Sequence, residues 1–280
     1  MVVPACRDGR AHSVREVGLF PMKIVVCVKQ VPDTESEKAL RPEDLTLDRE
    51  AVDAVMNEMD EFAVEEALQL AERTGGEVTV LLMGPEQGAD TIRKALSMGA
   101  DRALHVVDDA LRGSDAVATS AVLAAALREV GFDLVLLGCE ASDARTSLVP
   151  AMLAERLGLP QLTFAQKVET DGTEITVERL TDYGHDVVTA RLPALVSVVE
   201  KINEPRYPTF KGIMAAKKKP VRTLDLSDLE LDATEVGAAG AWSAVDDFTV
   251  RPPRAAGELV KDEGEGGRQL VAFLAGRKLV

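Results

Sequence analysis

Cysteine, histidine and aromatic residues are scarce in this chain of 280 residues: three Cys, three His, and Phe, Trp and Tyr together at 4%. Cys6, Cys27 and Cys139 are widely spaced and odd in number, with no Cys-x-x-Cys and no zinc spacing. They read as reduced thiols of a cytoplasmic-type compartment, not as a disulfide framework or a metal site. His12, His105 and His185 lie far apart, and there is no His-Glu-x-x-His, no Walker loop and no Gly-x-Gly-x-x-Gly turn. The zincin, P-loop and standard dinucleotide fingerprints are therefore excluded. Cations are short too: 32 Lys and Arg stand against 47 Asp and Glu, a net charge of −15. A nucleic-acid binder needs a basic footprint, so that class is set aside. No uncharged run approaches the roughly 20 residues a bilayer requires.

Present instead are short apolar runs alternating with helical patterns. Ile24–Val28, Val78–Met83, Ala103–Val107 and Asp133–Leu137 read as strands. Between them, Met59, Phe62, Ala63, Ala67 and Leu70 repeat at helical spacing, with Asn57 as cap and Glu58, Glu61, Glu65, Gln69 and Glu72 on the opposite face. Helices are also expected over Asp90–Met98, from a Ser114 cap to about Val130, and over Pro150–Leu157. This order implies an α/β fold with a doubly wound, mostly parallel sheet. Such sheets take ligands at the carboxyl ends of the strands, here Val28-Lys29, Met83-Gly84 and Gly138-Cys139. From about 162 to 199, with hairpin turns near Asp171-Gly172 and Tyr183-Gly184, antiparallel strands extend the same sheet.

The ends differ from this middle. Residues 1–21 lack a signal-peptide core and read as a disordered N-terminal extension ahead of an α/β domain over 22–220. From Val221 onward Asp, Glu, Gly, Ala and Pro dominate. Residues 221–280 read as an extended arm that buries little against its own chain and wraps on a partner, with Trp242, Phe248 and Phe273 as anchors; a flexible tail is the alternative.

The stretch Asn203–Pro220, NEPRYPTFKGIMAAKKKP, places Tyr207, Phe210, Ile213 and Met214 between two prolines and a lysine triplet. Pro205 and Pro208 stiffen the entry, and IMAAKKK reads as a short helix with cations at its C-terminal end. Residue chemistry alone leaves two readings open, a docking loop or a solvated surface loop. Asn57, Asp60 and Asp143 are likewise ordinary cap or turn residues by spacing alone.

The same segment, together with VERLTDYGHDVVTARLPALVSVVEKINEPRYPT (177–209), KIVVCVKQVPD (23–33), NEMDEFAVEEALQL (57–70), MGPEQGADTIRKALSMGADRALHV (83–106) and DLVLLGCEASDARTSLVPAMLAERLGLPQLTF (133–164), resembles the beta subunit of electron transfer flavoproteins. The blocks stand in that family's order from about Met22 to the C-terminus. The resemblance implies a Rossmann-like, adenine nucleotide-binding fold with AMP as a structural ligand. The AMP positions map onto Cys27, Asn57, Glu58, Met59, Asp60 and Met83. They continue through the loop Gly138, Cys139, Glu140, Ala141, Ser142, Asp143, Ala144, Arg145, Thr146, Ser147, Leu148 and Val149. Cys27 and Met83 would pack on the adenine, and the loop would offer amides, hydroxyls and Arg145 to the phosphate at a helix start.

The resemblance further implies an electron carrier without catalytic residues of its own. FAD would sit mainly in an alpha subunit, with a flavin wall from Val31, Pro32, Asp33 and Thr34 of this chain. The hairpin residues Glu178 and Arg179 match, whereas Leu180 replaces an acidic residue that helps hold the flavin domain, a role left to Asp182. Phe210 would anchor acyl-CoA and other flavoprotein dehydrogenases within a recognition loop over 203–217. Tyr207, Ile213 and Met214 would flank it, and Lys217, Lys218 and Lys219 would steer an acidic surface. Electrons would pass on to a quinone reductase, in the cytoplasm or, in a eukaryote, the mitochondrial matrix. Two rivals remain at this point: a bifurcating subunit with FAD in place of AMP, and a nucleotide-binding sensor or hydrolase of similar fold.

Overall fold

The run Lys23–Val28 forms strand β1, and its side chains decide the architecture. Ile24, Val26 and Val28 enter one buried apolar cluster, while Val25 and Cys27 enter another. Both alternating sets are buried, so the strand is central and covered on both faces. The computed structural model describes residues 21–250, 252, 256–257 and 259–280. The expected N-terminal extension thus lies outside the described residues except for Pro21.

In chain order the remaining strands are β2 (Gln30–Pro32), β3 (Ala54–Met56), β4 (Glu77–Met83), β5 (Arg102–Val106), β6 (Leu134–Gly138), β7 (Gln161–Thr170), β8 (Glu174–Thr181), β9 (Gly184–Arg191), β10 (Ala194–Val198) and β11 (Val221–Leu224). The principal sheet runs β11-β5-β4-β1-β6-β10-β7-β8-β9, and β2 and β3 form a separate antiparallel pair. Its neighbours are parallel except β7–β8 and β8–β9, so the expected antiparallel extension is present. Cys27 pairs in register with both Leu81 and Leu137, which brings the tips of β1, β4 and β6 level. The chain moves outward from β1 through β4 to β5, then returns to the other side of β1 with β6. That reversal is the switch point.

Helices α1 (Glu58–Thr74) and α2 (Ala89–Met98) cover one face; α3 (Ala116–Val130) and α4 (Val149–Leu157) cover the other. The cap of α3 is Asp115, whose carboxylate accepts the Ala118 amide at 3.0 Å. Ser114, the expected cap, instead donates to the Leu111 carbonyl. Two adjacent oxygen-bearing side chains compete for that position, and the backbone turn at 111–114 removes the serine.

The chain does not leave its own core at residue 220. Val221–Leu224 adds a parallel edge strand on β5, and Leu224, Leu226, Leu229 and Val236 are buried in the α3/α4 cluster. The compact unit reaches Val245. The apolar residues here are spaced irregularly through an acidic background, so local composition hid their burial. Asp246–Val280 forms a second unit that contains helix α7 (Gly266–Gly276), one turn longer than the expected Gln269–Ala275; α5 (Phe210–Ala216) and α6 (Gly237–Gly240) precede it in the first.

Candidate nucleotide and docking sites

The tips of β1 and β6 are tied together by the first turn of α1. Asp60 is buried; its Oδ2 accepts the Lys29 amide at 2.8 Å and its Oδ1 the Gly138 amide at 3.1 Å. Burial pushes its carboxyl up to about 7, against the lowering pull of these amides. Gly138 is needed because α1 comes so close: an added Cβ would stand 2.5 Å from Met59 Cβ. Asn57 stands at the N-cap position, but its side chain does not cap α1. It reaches across instead, donating to the Glu140 carbonyl at 2.9 Å and accepting the Ser142 amide at 3.1 Å. The expectation of an ordinary cap is thus corrected: the side chain ties the start of α1 to the loop after β6.

The loop between β6 and α4 is held from several sides. Asp143 receives Lys29 Nζ at 2.7 Å and Arg49 Nη2 at 3.5 Å, and Lys38 Nζ donates to the Ser142 carbonyl at 3.0 Å. Ser147 Oγ donates to Glu140 at 3.0 Å. Arg145 and Ser147 adopt positive φ of 48° and 52°. Cys139 is buried, Glu140, Ala141 and Val149 are half-buried, and Ala144, Arg145, Thr146 and Leu148 are exposed. Cys27 and half-buried Met83 share the α3/α4 face of the sheet. Burial drives the Cys27 thiol far upward and Cys139 to about 11, so both are poor nucleophiles at neutral pH. Glu58 is exposed and Met59 half-buried beside the tips. Arg49 and Lys38 were not singled out in the sequence, whereas Lys29 was, as part of the strand end Val28-Lys29.

The docking segment shows its apolar groups. Tyr207 is 93% exposed and Phe210 81%, and Ile213 and Met214 are also exposed. Thr209 caps α5 by accepting the Gly212 amide at 3.0 Å. Lys217 and Lys218 are exposed, but Lys219 is not a free cation: its Nζ donates to the carbonyls of Leu96 at 2.9 Å and Gly99 at 3.0 Å, closing the end of α2.

The polar face of α1 is partly covered. Glu65 is 3% exposed and accepts Arg206 Nε at 2.8 Å and Nη2 at 3.0 Å. Helical periodicity placed Glu65 on the polar face correctly; the distant segment that covers that face is invisible to it. Burial alone would raise the Glu65 carboxyl, but bonds from Arg206 and Gln69 outweigh this and hold it below the usual range.

Elsewhere, Val31 and Pro32 are buried in the β2–β3 pair, leaving Asp33 half-buried and Thr34 exposed as the outward part of that turn. Arg179 Nε donates to the Thr163 carbonyl at 3.0 Å, Leu180 is exposed, and Asp182 is exposed beside it. Two surface grooves involve none of the residues at the tips of β1, β4 and β6, one lined by Glu66, Arg73 and Lys167 and one by Glu178, Leu180 and Lys201. Among the described residues there is no metal-ligand cluster and no helix long and apolar enough to cross a membrane.

Level strand tips at a switch point, a tethered loop leading into a helix and an exposed apolar segment define an α/β protein with a doubly wound, mostly parallel sheet. The comparisons make this specific. Residues 44–229 match the electron transfer flavoprotein domain. The chain is 53% identical over 263 residues to electron transfer flavoprotein subunit beta of Mycobacterium tuberculosis, covering 92% of this chain and 99% of that one. It is 40% identical over 239 residues to the subunit of the same name from Thermoanaerobacterium thermosaccharolyticum, covering 85% and 92%. With the caffeyl-CoA reductase-Etf complex subunit CarD of Acetobacterium woodii it shares 36% over 241 residues, covering 85% and 92%. The chain belongs to the electron transfer flavoprotein family, as a beta subunit. It is therefore an electron-carrier subunit rather than a catalyst, with an alpha-subunit partner and a flavin in the complex.

Proposed function

We propose that this chain holds AMP at the tips of β1 and β6, leaves FAD mainly to the alpha subunit, and presents Phe210 to acyl-CoA and other flavoprotein dehydrogenases. Electrons then leave for a quinone reductase, and the compartment is cytoplasmic, or the mitochondrial matrix if eukaryotic. The observation that carries the docking part is Phe210 itself, 81% exposed on a segment fastened to the body on both sides. A large apolar tip of this kind fits the desolvated centre of an interface.

The loop after β6 fits a small anionic ligand. Ser142 Oγ is buried without a protein partner. Among the described residues the amides of Thr146, Ser147, Leu148 and Val149 have no acceptor, and they lead into α4. Free amides at a helix start are suited to a phosphate. Asn57 and Asp60 fix the loop and strand tips, and Cys27 and Met83 supply apolar surface. The flavin supplies the electron-carrying chemistry when bound; the residues described here bind, orient and dock.

The relationship to CarD supports a second reading, FAD in place of AMP. Against it, the run Asp143–Val149 contains no glycine. For the second unit, Leu270, Val271 and Phe273 are exposed on α7, and we assign this surface to the alpha subunit. Reduction of the Phe210→Ala heterodimer by an acyl-CoA dehydrogenase tests the docking part; a wild-type rate would end it.

A further inference from the structure

Glu65 is a carboxylate buried on α1, a helix whose exposed residues are Glu58, Glu72 and Arg73. All of the Arg206 donors that it receives come from the docking segment: the backbone amide at 3.1 Å, Nε at 2.8 Å and Nη2 at 3.0 Å. Glu72 takes Arg206 Nη1 at 2.6 Å. Asn203 Nδ2 donates to the Phe62 carbonyl at 3.1 Å and to Glu66 at 3.2 Å. Removing a carboxylate from water costs enough that a buried pair is weak evidence for stability; its better-attested use is to fix one conformation. Here the conformation fixed is that of residues 203–209, where Pro205 and Pro208 restrict φ as well.

We propose that the Glu65–Arg206 pair is the positioning element of the docking segment, seating residues 203–209 on α1 so that Phe210 stands out before any dehydrogenase arrives. The proposal rests on the docking reading above. The far side of the segment is fastened independently, by Lys219 on the end of α2 and by Gly212 lying against the Ser97 carbonyl. Between these two attachments the backbone carrying the exposed apolar groups is held, so binding carries less of the backbone-ordering cost. Arg206 acts through Phe210 and its neighbours, not by touching the partner's flavin. Lysine cannot replace its fork, which spans Glu65 and Glu72 together.

The test uses the full heterodimer and medium-chain acyl-CoA dehydrogenase reduced by octanoyl-CoA. Arg206→Met should retain FAD while amide exchange over residues 206–214 rises about tenfold or more. The KM for the dehydrogenase should rise about tenfold with kcat within about twofold, and Arg206→Lys should recover only part of the loss. Adding Arg206→Met to Phe210→Ala should cost little further, since both act on one contact. Unchanged exchange, or fully additive losses in the double variant, would overturn the proposal. If Phe210→Ala alone changes nothing, the docking reading falls, while the exchange rates still decide whether the pair orders the segment. Should Arg206→Met fail to assemble, Glu65→Gln, which keeps the shape and loses the charge, carries the same measurements.

Discussion

The Asp143 carboxylate lies 2.7 Å from Lys29 Nζ and is almost wholly buried, joining the residue after β1 to the loop after β6. Arg49 approaches the same carboxylate at 3.5 Å. The loop proposed to receive the nucleotide phosphate is thus locked to the strand tips by charge as well as by the Asn57 bridge. Asp143→Asn leaves two cations without their partner. It should lower stability by about 1–3 kcal/mol and reduce the nucleotide retained on purification, while FAD stays bound. Thermal unfolding and nucleotide content of the purified heterodimer check this; full AMP retention would show that the lock is not needed.

Phe210→Ala removes the exposed ring proposed as the anchor of the docking segment. The expected cost is about 2–4 kcal/mol of dehydrogenase recognition, read as a fall in kcat/KM of roughly 30-fold or more, without loss of stability. Unlike a core phenylalanine, this ring buries little in its own chain, so an unchanged melting temperature belongs to the prediction.

Gly212 lies so close to α2 that an added Cβ would stand 2.4 Å from the Ser97 carbonyl oxygen. Gly212→Ala must therefore push α5 outward, at an expected cost of about 1–3 kcal/mol. The dehydrogenase reaction should slow with it. A fully stable variant with wild-type kinetics would show that α5 does not need its seat on α2.

Asp60 gives a pH signature. Burial raises its carboxyl to about 7 in the folded chain, so the folded state keeps a proton to higher pH than the unfolded state. The resulting stability is fully present below the ordinary carboxylate range near ~4 and is lost as pH rises through about 7. Between pH 4 and 7.5 wild type should lose on the order of a few kcal/mol relative to Asp60→Asn, whose side chain does not titrate. Denaturant unfolding of both proteins across that range gives the difference, and parallel curves would mean that Asp60 does not titrate there.

How far the sequence spoke depended on distance along the chain. Ile24–Val28 declared a central strand because both of its alternating faces are apolar, and Gly138 and Asp143 lie where switch-point logic directs attention. The side-chain partners of Glu65 and Asn57 were not legible because Arg206, Glu140 and Ser142 are 141, 83 and 85 residues away. A helical wheel shows which face is polar but not what later covers it. Leu224, Leu226, Leu229 and Val236 were hidden for a related reason: each joins the core singly, from an acidic stretch without a strand or helix period. The exposure of Tyr207, Phe210, Ile213 and Met214 was legible because prolines, aromatics and lysines crowd a few adjacent positions, although the capture of Lys219 by α2 was not.

The most direct measurement is to co-express both subunits, release the bound nucleotides by denaturation and identify them by mass. One FAD and one AMP per heterodimer, with AMP loss in Asp143→Asn, is the result expected. Two FAD per heterodimer, or no adenine nucleotide other than a single FAD, would contradict the account.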